Sequence, residues 1–446
     1  MSIARTICLG FIAVISVGTI LLLLPITTTD GSWNDPITAL FTATSAVCVT
    51  GLAVVDTGTH FSFWGQLIIL FLIQIGGLGY MTTNTFLLLV IRKRFDLRQK
   101  IAIEQSFDRP FLQGSRNLII SIITTSLIFE LTGFFLLTDL FSEHENAIWL
   151  ALFHSVSAWN NAGFSLFSDS LISYQSSLPA NVIFSILIIF GGLGYQAVLE
   201  IFIWLRQNFK EKILQQNTEV FNFSLNSKIV TNTTLILLSL GTFAFFLTDF
   251  SNPRIFGNLS LQERLLGAWF QSVTTRTAGF NSIDISRMTD AGLFITIAFM
   301  VIGASPSGTG GGLKTTTLRI LINSTISTLK GKTEVIIYQR RVPVNLILKA
   351  VGVLCASFTL LTIVTALIAI TDPNLGFIQI LFEVCSAFAT VGLSTGITGS
   401  LSPLGKLIII ATMYIGRVGI LIVINTLVTA SSPSSIKYPE ENLLVG

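Results

Sequence analysis

Eight long apolar stretches run through this 446-residue chain, beginning near Cys8, Gln66, Leu118, Val182, Val230, Ala291, Leu346 and Lys406. Most reach about the 20 residues a helix needs to cross a bilayer; the sixth covers only the 13 residues from Ala291 to Gly303. In hydrocarbon every backbone N–H and C=O must be satisfied within the segment, so stretches of this kind fold as helices. The expected fold is therefore an all-α polytopic membrane protein. Composition agrees, with 51% hydrophobic and 11% charged residues against roughly 25% charged in a soluble domain. No cleavage pattern follows the first stretch, which is expected to remain as a span.

Lysine and arginine set the orientation. The connections 92–116, 206–228 and 318–349 carry seven, four and six basic residues, 17 of the 26 in the chain. The connections 27–63, 139–180 and 371–402 carry none, and 250–290 carries four. The basic connections are expected on the cytoplasmic side, which gives eight spans and places both termini there. Cys8, Cys48, Cys355 and Cys385 show no ligand spacing, so neither a disulfide framework nor a zinc site is expected. With three histidines and no HExxH, the chain does not read as a metalloenzyme, and no basic tract points to nucleic acid.

A fourfold repeat lies in the outer connections: LFTATSAVCVTGL (40–52), LFHSVSAWNNAGF (152–164), WFQSVTTRTAGF (269–280) and LFEVCSAFATVGL (381–393). Each starts with an apolar pair, runs through small residues and ends in glycine before Leu or Phe. The glycines are Gly51, Gly163, Gly279 and Gly392, spaced by 112, 116 and 113 residues. The repeats are expected at 1–111, 112–227, 228–342 and 343–430, with 431–446 a cytoplasmic tail. Each repeat holds two spans, so successive repeats enter the membrane in the same orientation, unlike the inverted repeats of many carriers. The unit reads as span, re-entrant half-helix, extended segment, span, and four parallel copies can surround one pseudo-fourfold axis.

That arrangement suits a dehydrated cation. Four extended segments can present rings of backbone carbonyls in place of a hydration shell, and non-helical backbone at membrane depth is tolerated where it faces water. The backbones of Val49, Thr50 and Gly51, of Asn161, Ala162 and Gly163, of Thr277, Ala278 and Gly279, and of Thr390, Val391 and Gly392 are the expected filter. The varied side chains fit selection through main-chain oxygens. Half-helices running inward direct their partially negative C-termini at the axis. The alternative is that such glycines only pack helices together, which four in register argue against. Arg276 has no place in a cation pathway and is expected to turn away and brace the filter from behind.

The stretch GASPSGTGGGLKTTT (303–317) looks at first like a phosphate-binding loop, but Leu313 separates Gly312 from Lys314, and no strand precedes it. Counted from the filter glycines, the second spans reach Gly76-Gly77-Leu78-Gly79, Gly191-Gly192-Leu193-Gly194, Gly303 and Gly416-Arg417-Val418-Gly419 after 25, 28, 24 and 24 residues. Glycine thus recurs at one depth. In repeats one and two it is expected to pack or bend the helix, in repeat three to open into a polar loop that splits it. A loop there, below the filter, reads as a gate, with the Ser305, Ser307 and Thr309 hydroxyls across the pathway. A static packing loop is the competing reading. Arg417, near mid-span where a cation is costly, is expected to pair with carbonyls of that loop.

Together the four filter segments, the two GGLGY sequences, GASPSGTGGGLK, IGRVG and the terminal IKYPEENLLVG resemble the potassium-translocating membrane subunits of bacterial Ktr systems, in the Trk/Ktr/HKT superfamily, over nearly the whole chain. The resemblance implies K⁺ uptake driven by the membrane potential across a bacterial cell membrane, with Na⁺ as activator or co-ion and no organic cofactor on this chain. It implies a homodimer with one pore per protomer, embedded in membrane lipids and resting on a cytoplasmic octameric ring of nucleotide-binding KtrA-type subunits. It assigns the gate to Gly303, Ser305, Ser307, Gly308, Thr309, Gly310, Gly311, Gly312 and Lys314, faced by Arg417. Glycine in all four filters accompanies K⁺ preference in that superfamily. Cys48 departs from the Thr or Ala expected there, and the segment before the first span is short. The tail, with Tyr438, Pro439 and Leu443–Val445, reads as a docking peptide for the ring or the other protomer. Two other classes compete: a secondary carrier with alternating access, which the parallel repeat disfavours, and a membrane enzyme or receptor, for which no catalytic constellation is present.

Overall fold

The computed structural model describes residues 3–79, 115–213, 221–250, 252–257, 259–427 and 441. Four long helices, Ile3–Leu23, Ser115–Leu140, Leu225–Asp249 and Val344–Thr371, are each followed by a short one: Pro36–Val47, Ala147–Trp159, Leu261–Thr274 and Phe377–Ala389. An extended segment with the filter glycine comes next, then a second helix: Phe63–Leu78, Leu178–Leu193, Asp290–Val301 and Pro403–Val418. The start of each second helix is written locally. Ser62, Ser177, Thr289 and Ser402 stand at the N-caps, and each side chain accepts the N–H three residues on, satisfying a donor the helix cannot.

The short helices form the centre. Phe41, Phe153, Phe270 and Phe382, the repeated aromatic of the four segments, are all completely or almost completely buried. The long helices form the outer wall: Val17, Phe135, Phe243 and Phe358 are exposed on them, as side chains facing lipid should be.

Three expectations change. Among the described residues only four helices are long and apolar enough to cross a bilayer, or five if Leu178–Leu193 and Tyr195–Phe209 count as one broken span bent by 110°. The second spans are not continuous: they stop at Leu78, Leu193, Val301 and Val418. Gly79, Gly194 and Gly419 follow three of these ends with φ of 78°, 81° and 96°, a left-handed geometry that ends a helix and suits glycine. The break is thus common to all four units rather than special to the third. The third unit opens at Leu225, ahead of the boundary expected at 227, because Ser224 caps that helix through the Ser227 N–H. Among the described residues the chain is all-α as expected, apart from a two-stranded hairpin, Ile336–Ile337 with Arg340–Arg341, just before the last long helix. The proposed docking peptide at 438–445 lies outside the described residues except for Glu441.

Candidate functional site

The four filter glycines meet around one axis. A Cβ placed on Gly51 would fall within 3.0 Å of the Ala162 carbonyl oxygen, on Gly163 of Ala278 O, on Gly279 of Val391 O, and on Gly392 of Thr50 O. Each glycine therefore faces the carbonyl just before the next unit's glycine, in the order one, two, three, four and back to one. Only a closed ring gives that sequence of contacts, and only a residue without a Cβ permits the approach.

Backbone conformation repeats as closely. Val49, Asn161, Thr277 and Thr390, each two residues before its glycine, have φ of 56°, 56°, 70° and 51°, and Gly51, Gly163, Gly279 and Gly392 have 88°, 69°, 75° and 93°. A non-glycine residue held there costs on the order of 1–3 kcal/mol, so the same strained position four times over marks a shared constraint. Positive φ on alternate residues turns successive carbonyls toward one side, which an ordinary strand does not do. The carbonyls of Val49, Thr50, Asn161, Ala162, Thr277, Ala278, Thr390 and Val391 accept no hydrogen bond among the described residues.

The short helices hold these segments by a hydroxyl near their C-terminal ends. Ser45 Oγ accepts the Gly51 N–H and Ser386 Oγ the Gly392 N–H, both at 3.1 Å. Ser157 Oγ donates to Phe164 O and Thr274 Oγ1 to Phe280 O, both at 2.7 Å. The Thr50, Ala162 and Val391 N–H groups bond the carbonyl five residues back, at Ser45, Ser157 and Ser386. The third segment is one residue shorter, and Ala278 bonds Thr274 O, four back; the deletion is absorbed by a tighter turn. Behind the ring, His154 Nε2 is 2.9 Å from Ser165 Oγ, and buried Glu383 accepts from Ser394 Oγ at 2.8 Å and from Thr398 Oγ1. The sequence reading missed these supports, although the hydroxyl and the polar third residue recur in the aligned segments.

The glycines of the second helices have divided roles. In units one, two and four a Cβ at Gly76, Gly191 or Gly416 would strike the carbonyl oxygen of Val47, Trp159 or Phe388, each four residues before its filter glycine. These glycines let the second helix lie against the end of the short helix. In unit three Gly303 meets Gly311 O instead, because here the helix has given way to the loop. The loop's ends are fastened: Gly303 N–H donates to Leu313 O (2.8 Å) and Leu313 N–H to Val301 O (3.2 Å).

Between those ends the loop underlies the ring. Gly311 N–H donates to Thr390 Oγ1 at 2.9 Å, and Gly310 lies against Thr277 Oγ1 with no room for a Cβ. On its second-unit side, Ser305 N–H donates to Gly192 O (3.0 Å) and Thr309 N–H to Gly191 O (3.3 Å). Ser307 has φ of 61°, its carbonyl accepts the Tyr195 N–H at 3.4 Å, and Gly308 N–H donates to Ser305 O at 3.0 Å. Gly312 takes φ of 67° where the chain turns back. Three cationic side chains hold loop carbonyls: Arg276 Nη2 donates to Gly303 O (3.1 Å), Lys314 Nζ to Gly310 O (2.8 Å), and Arg417 Nη1 to Thr309 O while its Nη2 donates to Gly76 O. Arg417 thus meets a loop carbonyl, and Arg276 is buried on the loop's side. Ser305 is placed otherwise than expected. Its side chain is fully buried beside Thr315, with Thr315 Oγ1 donating to Ser305 Oγ at 3.0 Å, so its hydroxyl sits at the loop's flank rather than across the axis.

Comparison with known proteins places the chain in a family. The family described as TrkH, cation transport protein, matches residues 6–438. The chain is 38% identical to the Ktr system potassium uptake protein B of Vibrio alginolyticus (99% of this chain, 94% of the relative) and 36% to that of Bacillus subtilis (99% and 96%). It is also 36% identical to the potassium/sodium uptake protein NtpJ of Enterococcus hirae, over 100% of this chain and 98% of the relative. In fold it is similar to the crystal structure of the potassium transporter TrkH from Vibrio parahaemolyticus, with a TM-score of 0.76 at 16% identity, covering 96% of this chain and 86% of the other.

Proposed function

This chain belongs to the TrkH family of cation transport proteins, and on that premise we propose that it takes up K⁺ across the bacterial cell membrane through the ring of filter carbonyls. The observation that carries the proposal is the cyclic contact of each filter glycine with the next unit's carbonyl. An ion shedding its water needs several oxygens at once, and four strained segments with unengaged carbonyls supply them without reorganisation. The short helices end at the ring, so their partial negative charge favours a cation there.

The loop 303–314 is the gate of this proposal. It underlies the ring and is held by contacts that each cost little to exchange. Arg417 links the loop to the first unit: a hydrogen bond from a charged donor contributes about 1.5–3 kcal/mol, and Arg417 makes one to Thr309 O in the loop and one to Gly76 O. Opening requires the Arg417 contact with Thr309 to be exchanged for water or for other carbonyls. The relatives' Ktr system names support a partner component, read here as a cytoplasmic nucleotide-binding ring of KtrA type; the basic connections support cytoplasmic termini, and a homodimer in membrane lipid completes the reading. The potassium/sodium description of NtpJ supports Na⁺ as activator or co-ion.

The test is K⁺ uptake at micromolar to millimolar K⁺ in cells lacking their own K⁺ importers, expressing this chain with and without a KtrA-type partner. Uptake that rises with the partner is the expected result. A chain that reaches the membrane and moves no K⁺ in either condition refutes the K⁺ assignment, and Na⁺ flux is then measured.

A further inference from the structure

Arg276 stands in the third filter segment, one residue before Thr277, and is 6% exposed. Its Nη2 donates to Gly303 O, but Nε and Nη1 have no partner among the described residues. The two ion pairs among those residues, Arg287 with Asp284 and Arg341 with Glu334, leave it out. A guanidinium carries five N–H donors and no acceptor, and a buried charge of this kind is normally paired.

Arg276 belongs to the lining of a small cavity behind the filter. It lies between Leu178–Leu193, Leu225–Asp249 and the start of the loop, has a volume of about 20 Å³, and is lined by Ile188, Gly192, Thr234, Arg276, Gly303 and Ser305, among others. Its polar groups are donors in excess. Gly303 O already accepts from Arg276, and Gly192 O from the Ser305 N–H. Ser305 and Thr315, both buried, share one hydrogen bond between two hydroxyls, so one hydroxyl proton remains without an acceptor among the described residues. Each of these carbonyls keeps a second lone pair, so a water could be held there; what a water does not supply is the negative charge that a buried guanidinium lacks.

We propose that Arg276, with the Ser305–Thr315 hydroxyl pair and Thr234, forms a binding site for a single small halide ion, chloride in the cell, that joins the third filter segment to the start of the loop. The volume admits one atom-sized guest, since about 10–15 Å³ suffices for one water, and excludes polyatomic anions such as gluconate. The ion compensates a fixed positive charge beside the cation pathway that no carboxylate among the described residues compensates.

The test uses the full-length protein, purified throughout in KCl, KBr or potassium gluconate at constant K⁺ and ionic strength, with thermal unfolding followed by intrinsic fluorescence. Wild-type protein is expected to melt higher in chloride and bromide, saturably, and R276Q is expected to melt equally in all three salts. Equal melting of the wild type in all three overturns the proposal and leaves a water in the cavity. A halide effect that survives in R276Q places the ion elsewhere and also overturns it. Should R276Q fail to fold, S305A replaces it: the chloride concentration for half the effect is expected to rise about tenfold, on the order of one hydrogen bond to a charged group. No change in S305A refutes the site. Because the readout is stability, its failure is separate from any failure of the K⁺ assignment.

Discussion

Replacing each filter glycine by alanine, with Gly331→Ala as a control, tests the closed ring directly. Gly331 has φ of 63° and nothing within 4 Å of where a Cβ would stand, whereas Gly51, Gly163, Gly279 and Gly392 combine φ of 69–93° with a neighbouring carbonyl closer than 3.0 Å. An alanine in the left-handed region costs roughly 1–2 kcal/mol; forcing a methyl into a packed site adds about 1–3 kcal/mol. G331A should therefore lose only the first amount, far from the ring. Each filter variant carries roughly 2–5 kcal/mol of strain, placed on the next unit's carbonyl. Since 1.4 kcal/mol is about tenfold in an equilibrium constant, each filter variant should raise the half-saturating K⁺ concentration or lower the maximal uptake rate by about tenfold or more. G331A should stay within about threefold. The assay is K⁺ uptake in importer-deficient cells, with membrane protein measured on the same samples. A filter variant present at wild-type level with unchanged half-saturation and rate would refute the ring.

Three further outcomes are expected. Gly51→Ser should admit more Na⁺ relative to K⁺, because the added hydroxyl displaces Ala162 O; unchanged Na⁺/K⁺ competition counts against the filter assignment. Deleting Ser305–Gly311 should raise K⁺ flux and weaken partner control. The flanking residues already lie side by side, with Gly303 N–H 2.8 Å from Leu313 O, so a folded but inactive protein would point to a packing loop. Arg417→Gln loses the charge-assisted bond to Thr309 O, a loss of roughly 1.5–3 kcal/mol from the held loop, together with the bond to Gly76 O, and should raise partner-independent uptake. Reversing a 1:99 balance needs about 5.5 kcal/mol, so the rise is expected to be partial, and uptake at or below the wild-type level refutes the latch.

The aligned segments made the ring's register legible, because a residue that must lack a Cβ can only be glycine and the constraint recurs four times. The starts of the second helices carried an unused signal, since Ser62, Ser177, Thr289 and Ser402 cap them. Within GGLG and GRVG the sequence could not divide the labour: the first glycine packs on the short helix while the last breaks the second helix, and two glycines three residues apart look alike in a string. Ser305 was misplaced for a related reason. A hydroxyl in a polar loop below a filter suits the axis or the flank equally, and only the Gly192 carbonyl and Thr315 decide. The hairpin escaped notice because its turn residues, Tyr338 and Gln339, have φ of 47° and 61° without the Asn-Gly or Asp-Gly signature of such turns.

The third unit is where the fourfold plan is broken, and its departures belong together. Its second helix stops after 12 residues where the others run 16. That frees Gly303 from the short helix and leaves ten residues, 303–312, to lie under the ring. Polar backbone at that depth must be satisfied, and the partners come from every unit: Gly191 and Gly192 from the second, Thr390 and Arg417 from the fourth, Arg276 from the third, and through Arg417 the Gly76 carbonyl of the first. Side-chain cations thereby occupy carbonyl oxygens just below a ring proposed to offer carbonyl oxygens to K⁺. On the gate reading proposed above, a displacement of any one of these units loads the loop through its ties. In the proposed gate, a partner that moves a single second helix would strain the loop's ties to that unit, and need not touch the loop.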